Sequence, residues 1–221
     1  MIKDLFRYCA DIGMFASDRP INDVGSVKGS CDHRTSFCDD TCYNVKLYRM
    51  YPNMGKRDER CEREWQQVSG TAVHNYLSRK KKQIKRARHM TRGEAIKDLS
   101  DIYRVKDIAL ATPDTTWWIP TRAWRNTLLR ELIQIELFPI ANIALNASLD
   151  PSNTQDEEDS LIDDGWNIMY FGDDTKYAGK GEAFKCPKTW KKLSGHCAVC
   201  KAGCFSQTTI GKRVTVHLSA H

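Results

Sequence analysis

Four cysteines fall within nineteen residues late in the chain, Cys186, Cys197, Cys200 and Cys204, spaced C-x10-C-x2-C-x3-C. Two residues between sulfurs let both point into one site from a tight turn, and Gly203 lets the backbone curl before the last of them. Thiolates gathered this closely repel one another unless a cation neutralises them, so the stretch is expected to fold round a metal. One structural zinc ion or one iron–sulfur cluster would accept such a set. Two disulfides are the alternative, and the spacing is too compact for four independent bridging partners. The segment from Met1 to Arg7 carries an acid and has neither a long apolar core nor a small-residue cleavage site, so it does not read as a secretion signal. Nine cysteines, an odd number, also fit metal ligation in a reducing cytoplasm better than a closed disulfide framework.

A second group, Cys31, Cys38 and Cys42, is spaced C-x6-C-x3-C and stops one ligand short. A tetrahedral structural zinc takes four closed ligands, whereas a four-iron cluster on three cysteines leaves one iron open to a ligand. His33, two residues after Cys31, reads as a neighbour more than a fourth ligand, and Cys9 and Cys61 read as idle or buried thiols.

The frame that would carry these groups is read from periodicity. Residues 1–25 form a lead-in, and 24–30 a short strand running into the first cysteine loop. Residues 56–87 are one long helix, or two with a break near Gly70, ending in a basic run over 79–88 in which seven of ten residues are positive. Helices are expected over 95–111 and 123–138, the second with Leu128, Leu129, Leu132, Ile133, Ile135 and Leu137 apolar, and strands over 115–119, 143–148 and 166–171. Residues 150–164 read as an acidic loop. Strands alternating with helices signify parallel β/α units. The expected fold is therefore α/β, a partial (open) TIM-like β/α barrel over residues 1–180 with a small cysteine-rich metal-binding extension over 181–221; a doubly wound sheet is the alternative. A length of 221 residues suffices for this, and no run of eighteen apolar residues would cross a membrane.

In such folds functional groups collect at the C-terminal ends of the strands. There the chain would present Cys31, Cys38 and Cys42, then Arg92, Gly93 and Glu94, then Arg122, then Asn146 and Ser148, then Asp173. Glu94 could accept from an ammonium and the arginines could hold a carboxylate bidentately. Each also has a plain structural role open to it: Arg92 and Glu94 capping the following helix, Arg122 pairing with Glu131 or another surface acid.

Three loop cysteines ending in Cys42-Tyr43, a Gly93-Glu94 pair at the next strand end and a partial barrel resemble the radical S-adenosylmethionine superfamily. In that superfamily three cysteines bind a four-iron cluster, the open iron takes the cofactor's amino and carboxylate groups, and a Gly-Gly-Glu stretch contacts the amine. The tail cysteines resemble its auxiliary-cluster extensions. The Thr91-Arg92-Gly93-Glu94 stretch, the Trp118-to-Arg122 strand end and the Cys186-Pro187 tail are similar to a family of bacteriophage proteins of radical-SAM-like layout, over about residues 25–206. The resemblance implies [4Fe-4S] clusters, one or two, with redox or radical chemistry at the mouth. It implies Arg92, Glu94 and Arg122 as catalytic residues, and Gly93, Glu94 and Ser148 against a cofactor. It also implies a host cytoplasm as location. For S-adenosylmethionine itself two departures stand against the pattern: the superfamily spaces its cysteines C-x3-C-x2-C, and Arg92 replaces the first glycine of Gly-Gly-Glu.

A competing reading is a non-catalytic protein stapled by zinc or iron–sulfur metal, binding nucleic acid or a host protein through the basic run. A net charge of +6 permits an anionic partner without requiring one. A small-molecule ligand at an open cluster is the other partner expected.

Overall fold

Side chains alternate sharply along the central strands of the computed structural model, which describes residues 2, 4–172, 176, 183–191, 197–206 and 214–219. In β4 (Thr116–Thr121), Trp117 and Ile119 are wholly buried among helices, while Trp118 and Pro120 between them face a cavity. A pleated strand sends successive side chains to opposite faces, so every inner strand here serves two environments. The same alternation runs through β5 (Ile143–Leu149), with Leu145 and Ala147 in the core and Asn146 and Ser148 opposite. It recurs in β6 (Asn167–Gly172), with Ile168 and Tyr170 in the core and Met169 and Phe171 towards the cavity.

The chain opens with an antiparallel hairpin, β1 (Phe6–Cys9) and β2 (Met14–Ser17), where a loose lead-in was expected. Only an isolated bridge between Val24 and Val27 stands where residues 24–30 were read as a strand. Four short helices follow: α1 (Ser36–Thr41), α2 (Tyr43–Met50), α3 (Asn53–Gln67) and α4 (Gly70–Ser78). The break between the last two falls at Val68 and Ser69, whose hydroxyl caps α4 by accepting from Ala72 N. The basic run is not helical. Helix α4 ends at Ser78, residues 79–85 form a loop, and Arg86–Arg88 is strand β3. Stacking like charges three and four residues apart opposes continuing the helix.

From β3 onward the expected rhythm is present: α5 (Leu99–Ala111), β4, a 3-10 turn at Ala123–Arg125, α6 (Thr127–Glu136), β5, α7 (Gln155–Asp163) and β6. In α6 the stripe Leu129, Ile133 is buried, while Leu128 and Ile135 are exposed. Helix α7 replaces the acidic loop. Thr154 and Glu157 form a capping box, three acids in the first turn favour the positive end of the helix dipole, and Leu161 is buried. The tail adds β7 (Ala183–Lys185), α8 (Pro187–Lys191) and β8 (Thr215–Ser219) to the same sheet.

The eight strands lie in the order β1-β2-β3-β4-β5-β6-β8-β7, all pairs parallel except β1–β2. The result is one open, mostly parallel sheet with β1 and β7 at its edges, not a closed TIM-like barrel. Successive strands from β1 to β6 are neighbours, so no reversal of order marks a doubly wound crevice there. Helical residues such as Trp65, Ile102, Ile108 and Ile133 pack with Ala87, Trp117 and Leu145 on one face. The other face is covered by the cysteine-bearing tail: Ile12, Met14 and Ala16 pack with Cys197, Ala198 and Phe205, and Phe205 lies 5.7 Å from Trp118. Among the described residues no helix is long and apolar enough to cross a membrane.

Candidate metal centres and the cavity between them

Cys31, Cys38 and Cys42 come to border one cavity because the segment after β2 is pinned at both ends. Ser30 N and Oγ donate to Pro20 O, and Ser30 Oγ accepts from Glu94 N at 2.9 Å, which fixes the backbone beside Cys31. Thr35 then caps α1 by accepting from Cys38 N at 3.0 Å, while its hydroxyl donates to Asp150 at 2.5 Å. Cys42 sits at the junction of α1 and α2. The three thiols border a cavity of about 380 Å³ that also meets Cys186 and Cys197 of the tail. Burial pushes the Cys31 thiol up to about 12, with Glu94, Cys38 and Cys42 adding to it. Burial likewise raises Cys38, against the pull of Arg122.

The tail cysteines share a wall of their own. All four line a small apolar hollow of about 30 Å³ against Trp118 and Phe205. Cys186 N donates to His217 O of β8 at 2.9 Å, and Cys200 N closes the C-x2-C turn on Cys197 O at 3.4 Å. Gly203 has φ +92°, and a Cβ there would lie 2.4 Å from Val214, so the turn before Cys204 requires glycine. Burial and the three neighbouring thiols push Cys204 up to about 12; burial drives Cys197 to about 11. All nine cysteines are free thiols, with no disulfide among them. Among the described residues no three His, Cys, Asp or Glu side chains are drawn together as they would be round a single ion. The donor chemistry nevertheless suits a cationic centre: thiols that oppose one another's ionisation become thiolates when a cation sits among them.

The remaining site residues are mostly committed to partners. Arg92 places Nε and Nη2 on the carboxylate of Asp58 at 3.1 and 2.6 Å, and Nη2 is 3.1 Å from Asp18, so its guanidinium is held inside a buried charge network. It caps no helix, because α5 is capped by Asp98. Glu94 is buried; Oε1 accepts from Ala95 N and Ile96 N, and Oε2 from Arg122 N at 2.8 Å. It therefore ties the loop after β3 to the end of β4, and burial raises its carboxyl. Gly93 has φ +77°, with space for a Cβ closed off at 2.5 Å by Ser30 Oγ and 2.7 Å by Arg19 O. Arg122 Nη1 stands 2.7 Å from Asp150 Oδ2, and not beside Glu131. Ser148 borders the cavity and its carbonyl accepts from Trp124 Nε1. His33 also borders it, with a buried Nε2 that has no partner among the described residues. Asp173 lies outside the described residues.

Three residues that hold the tail were not singled out for that work from the sequence. Arg86 of β3 donates to the carbonyls of the Cys197–Cys200 turn. Asn146 of β5 donates to Cys204 O at 3.1 Å, and Asn167 of β6 to Ser206 O at 3.0 Å. Polar side chains at inward positions of otherwise apolar parallel strands were the available signal.

Fold and site together define an open, mostly parallel α/β protein in which a trio of cysteines and two of a quartet, Cys186 and Cys197, border one cavity. The family model described as gene product 88 matches residues 16–201, and the chain belongs to that phage-type family. The matched span takes in both cysteine groups except Cys204. No curated protein and no solved structure matches the chain.

Proposed function

We propose that this chain is an iron–sulfur protein whose Cys31, Cys38 and Cys42 hold a four-iron cluster facing the cavity, with the tail cysteines forming a second metal centre. The observation that carries the reading is the joint placement of three cysteines, one short of a closed set, on a cavity of about 380 Å³ large enough for a ligand. Strands β1 to β6 laid down in sequence, with helices on one face and the cavity on the other, support the finer view of the sheet as a partial β/α barrel of radical-SAM-like layout. When bound, such a cluster supplies one-electron reducing power. Glu94, Ser30 and Thr35 position the cysteine loop, and Arg122 with Asp150 anchors the strand ends beside it. Arg92 and Glu94 already have protein partners, which favours a redox role over cleavage of S-adenosylmethionine.

The test is anaerobic purification followed by iron and acid-labile sulfide quantitation with electron paramagnetic resonance. Brown protein with both elements is the expected result; colourless protein holding only zinc refutes it. Calorimetry with S-adenosylmethionine, and assay of the reduced protein for 5′-deoxyadenosine, decide the radical arm separately. Nucleic-acid binding through the basic run is the second reading. It rests on four exposed positive residues, Arg79, Lys81, Lys82 and Lys85, since Lys80 lies 3.6 Å over the Tyr76 ring and Arg86 and Arg88 turn inward. Loss of salt-sensitive binding in Lys81→Glu/Lys82→Glu would support it.

A further inference from the structure

Arg86 and Arg88 stand two residues apart on β3, so both side chains leave the sheet on the face that carries the tail, while Ala87 between them is buried among the helices. Arg86 Nη1 donates to Cys200 O at 2.8 Å and reaches Ala198 O at 3.3 Å and Cys197 O at 3.4 Å. Its guanidinium lies 4.7 Å from the centre of the Phe205 ring, one residue beyond Cys204. Arg88 stacks over Trp118 at 4.4 Å, and Trp118 lines the hollow shared by the four tail cysteines.

The charge balance of these two residues sets them apart. Three other arginines bordering the cavity each have a carboxylate within 3 Å: Arg34 has Asp39, Arg92 has Asp58 and Arg122 has Asp150. Among the described residues neither Arg86 nor Arg88 has one. Two half-buried guanidinium groups without acids therefore flank four cysteines. Four thiolates round one divalent ion carry two net negative charges, which two guanidinium groups offset.

We propose that Arg86 and Arg88 are positioning residues of a four-cysteine metal centre, Arg86 by shaping the Cys197–Cys200 turn and both by balancing the charge of the thiolates. The proposal rests on the reading of the tail cysteines as ligands. A lone nitrogen gathering three carbonyls of one turn, those of Cys197, Ala198 and Cys200, gives the turn its shape before any metal arrives, and lysine cannot reproduce the aromatic stacking that fixes the guanidinium plane. Outer partners of metal ligands commonly matter 10–100-fold to metal retention.

The experiment uses the full chain carrying Cys38→Ala, so that retained metal reports on the tail alone. Metal content is measured, then the rate of release to a chelator, for this parent and for added Arg86→Met, Arg86→Lys and Arg88→Met. Release is expected to quicken about 10–100-fold with Arg86→Met. Arg88→Met is expected to quicken it less and, if the centre contains iron, to make its reduction potential more negative. Arg86→Lys, which keeps the charge without the three-carbonyl grip, should fall between, and it carries the test should Arg86→Met fail to fold. A parent that holds tail metal and releases it no more slowly than the Arg86 variants overturns the inference while leaving the metal reading intact. Metal held by the unsubstituted chain but lost whole from the Cys38→Ala parent makes the two groups one assembly and overturns this inference alone, whereas an unsubstituted chain that holds no metal overturns the metal reading and this inference with it.

Discussion

At pH 5 the chain should lose stability that a His89→Leu variant keeps. His89 is wholly buried, stacked on Trp117 at 4.4 Å and edged by Trp65 at 5.6 Å and Phe6 at 6.0 Å. Neither ring nitrogen has a hydrogen-bond partner among the described residues. Desolvation alone lowers its pKa from 6.5 to about 3. The folded protein thus holds the imidazole neutral while the unfolded chain protonates it, so the unfolded state binds more protons as pH falls. The contribution is fully present above 6.5 and is withdrawn as pH falls towards 3. With these values the loss relative to neutral pH is about 2 kcal/mol at pH 5. That corresponds to roughly 4–8 °C in melting temperature for a chain of this size. Urea or thermal denaturation of both proteins at pH 7.5, 6 and 5 isolates the effect, because groups other than His89 titrate alike in the two. The expected signature is a stability difference that shifts by about 2 kcal/mol in favour of leucine between pH 7.5 and pH 5. Parallel pH profiles would refute the reasoning.

Other substitutions follow from the same geometry. Gly93→Ala should cost about 1–3 kcal/mol in urea denaturation, from the left-handed backbone and the approach of Arg19 O; a neutral result would mean that the loop can shift. Arg92→Met should cost about 3–5 kcal/mol by leaving buried Asp58 without its two-nitrogen partner, Asp18 keeping Arg7 and Arg57, measured as a fall in denaturation midpoint. A stable Arg92→Met that instead loses ligand binding would return Arg92 to a direct role in the cavity. Cys38→Ala should strip iron from the loop centre and leave the tail centre loaded, read by metal analysis; simultaneous loss of both would make them one assembly.

Much of this architecture is legible from periodicity. The apolar runs that became β4, β5 and β6 and the patterned stretches that became α5 and α6 are long enough to announce themselves, and the cysteine trio and quartet stand out by spacing alone. The hairpin of β1 and β2 does not, because four-residue strands carry too little pattern. Helix α7 hides behind its acids, which stabilise its first turn but read as a solvated loop. The fate of Arg92 depends on Asp58, thirty-four residues earlier, and no local spacing reveals such a partner. The basic run misleads for a related reason. Its lysines and arginines look alike in sequence, yet Arg86 and Arg88 fall on a strand whose register turns them inward, and Lys80 settles on an aromatic ring.

The strand order at the tail end has a kinetic corollary. Among the described residues β7 pairs only with β8, and β8, thirty residues further along, slots between β6 and β7 as an interior strand. An inner strand contributed so late must close a long loop before its hydrogen bonds form, and such non-local pairing is slow. Refolding should therefore show the β3–β6 core, whose paired strands are close in sequence, protected from hydrogen exchange ahead of β8 and ahead of the still longer-range β2–β3 pairing. The strands on either side of the tail cysteines would then take their places only after that core has formed.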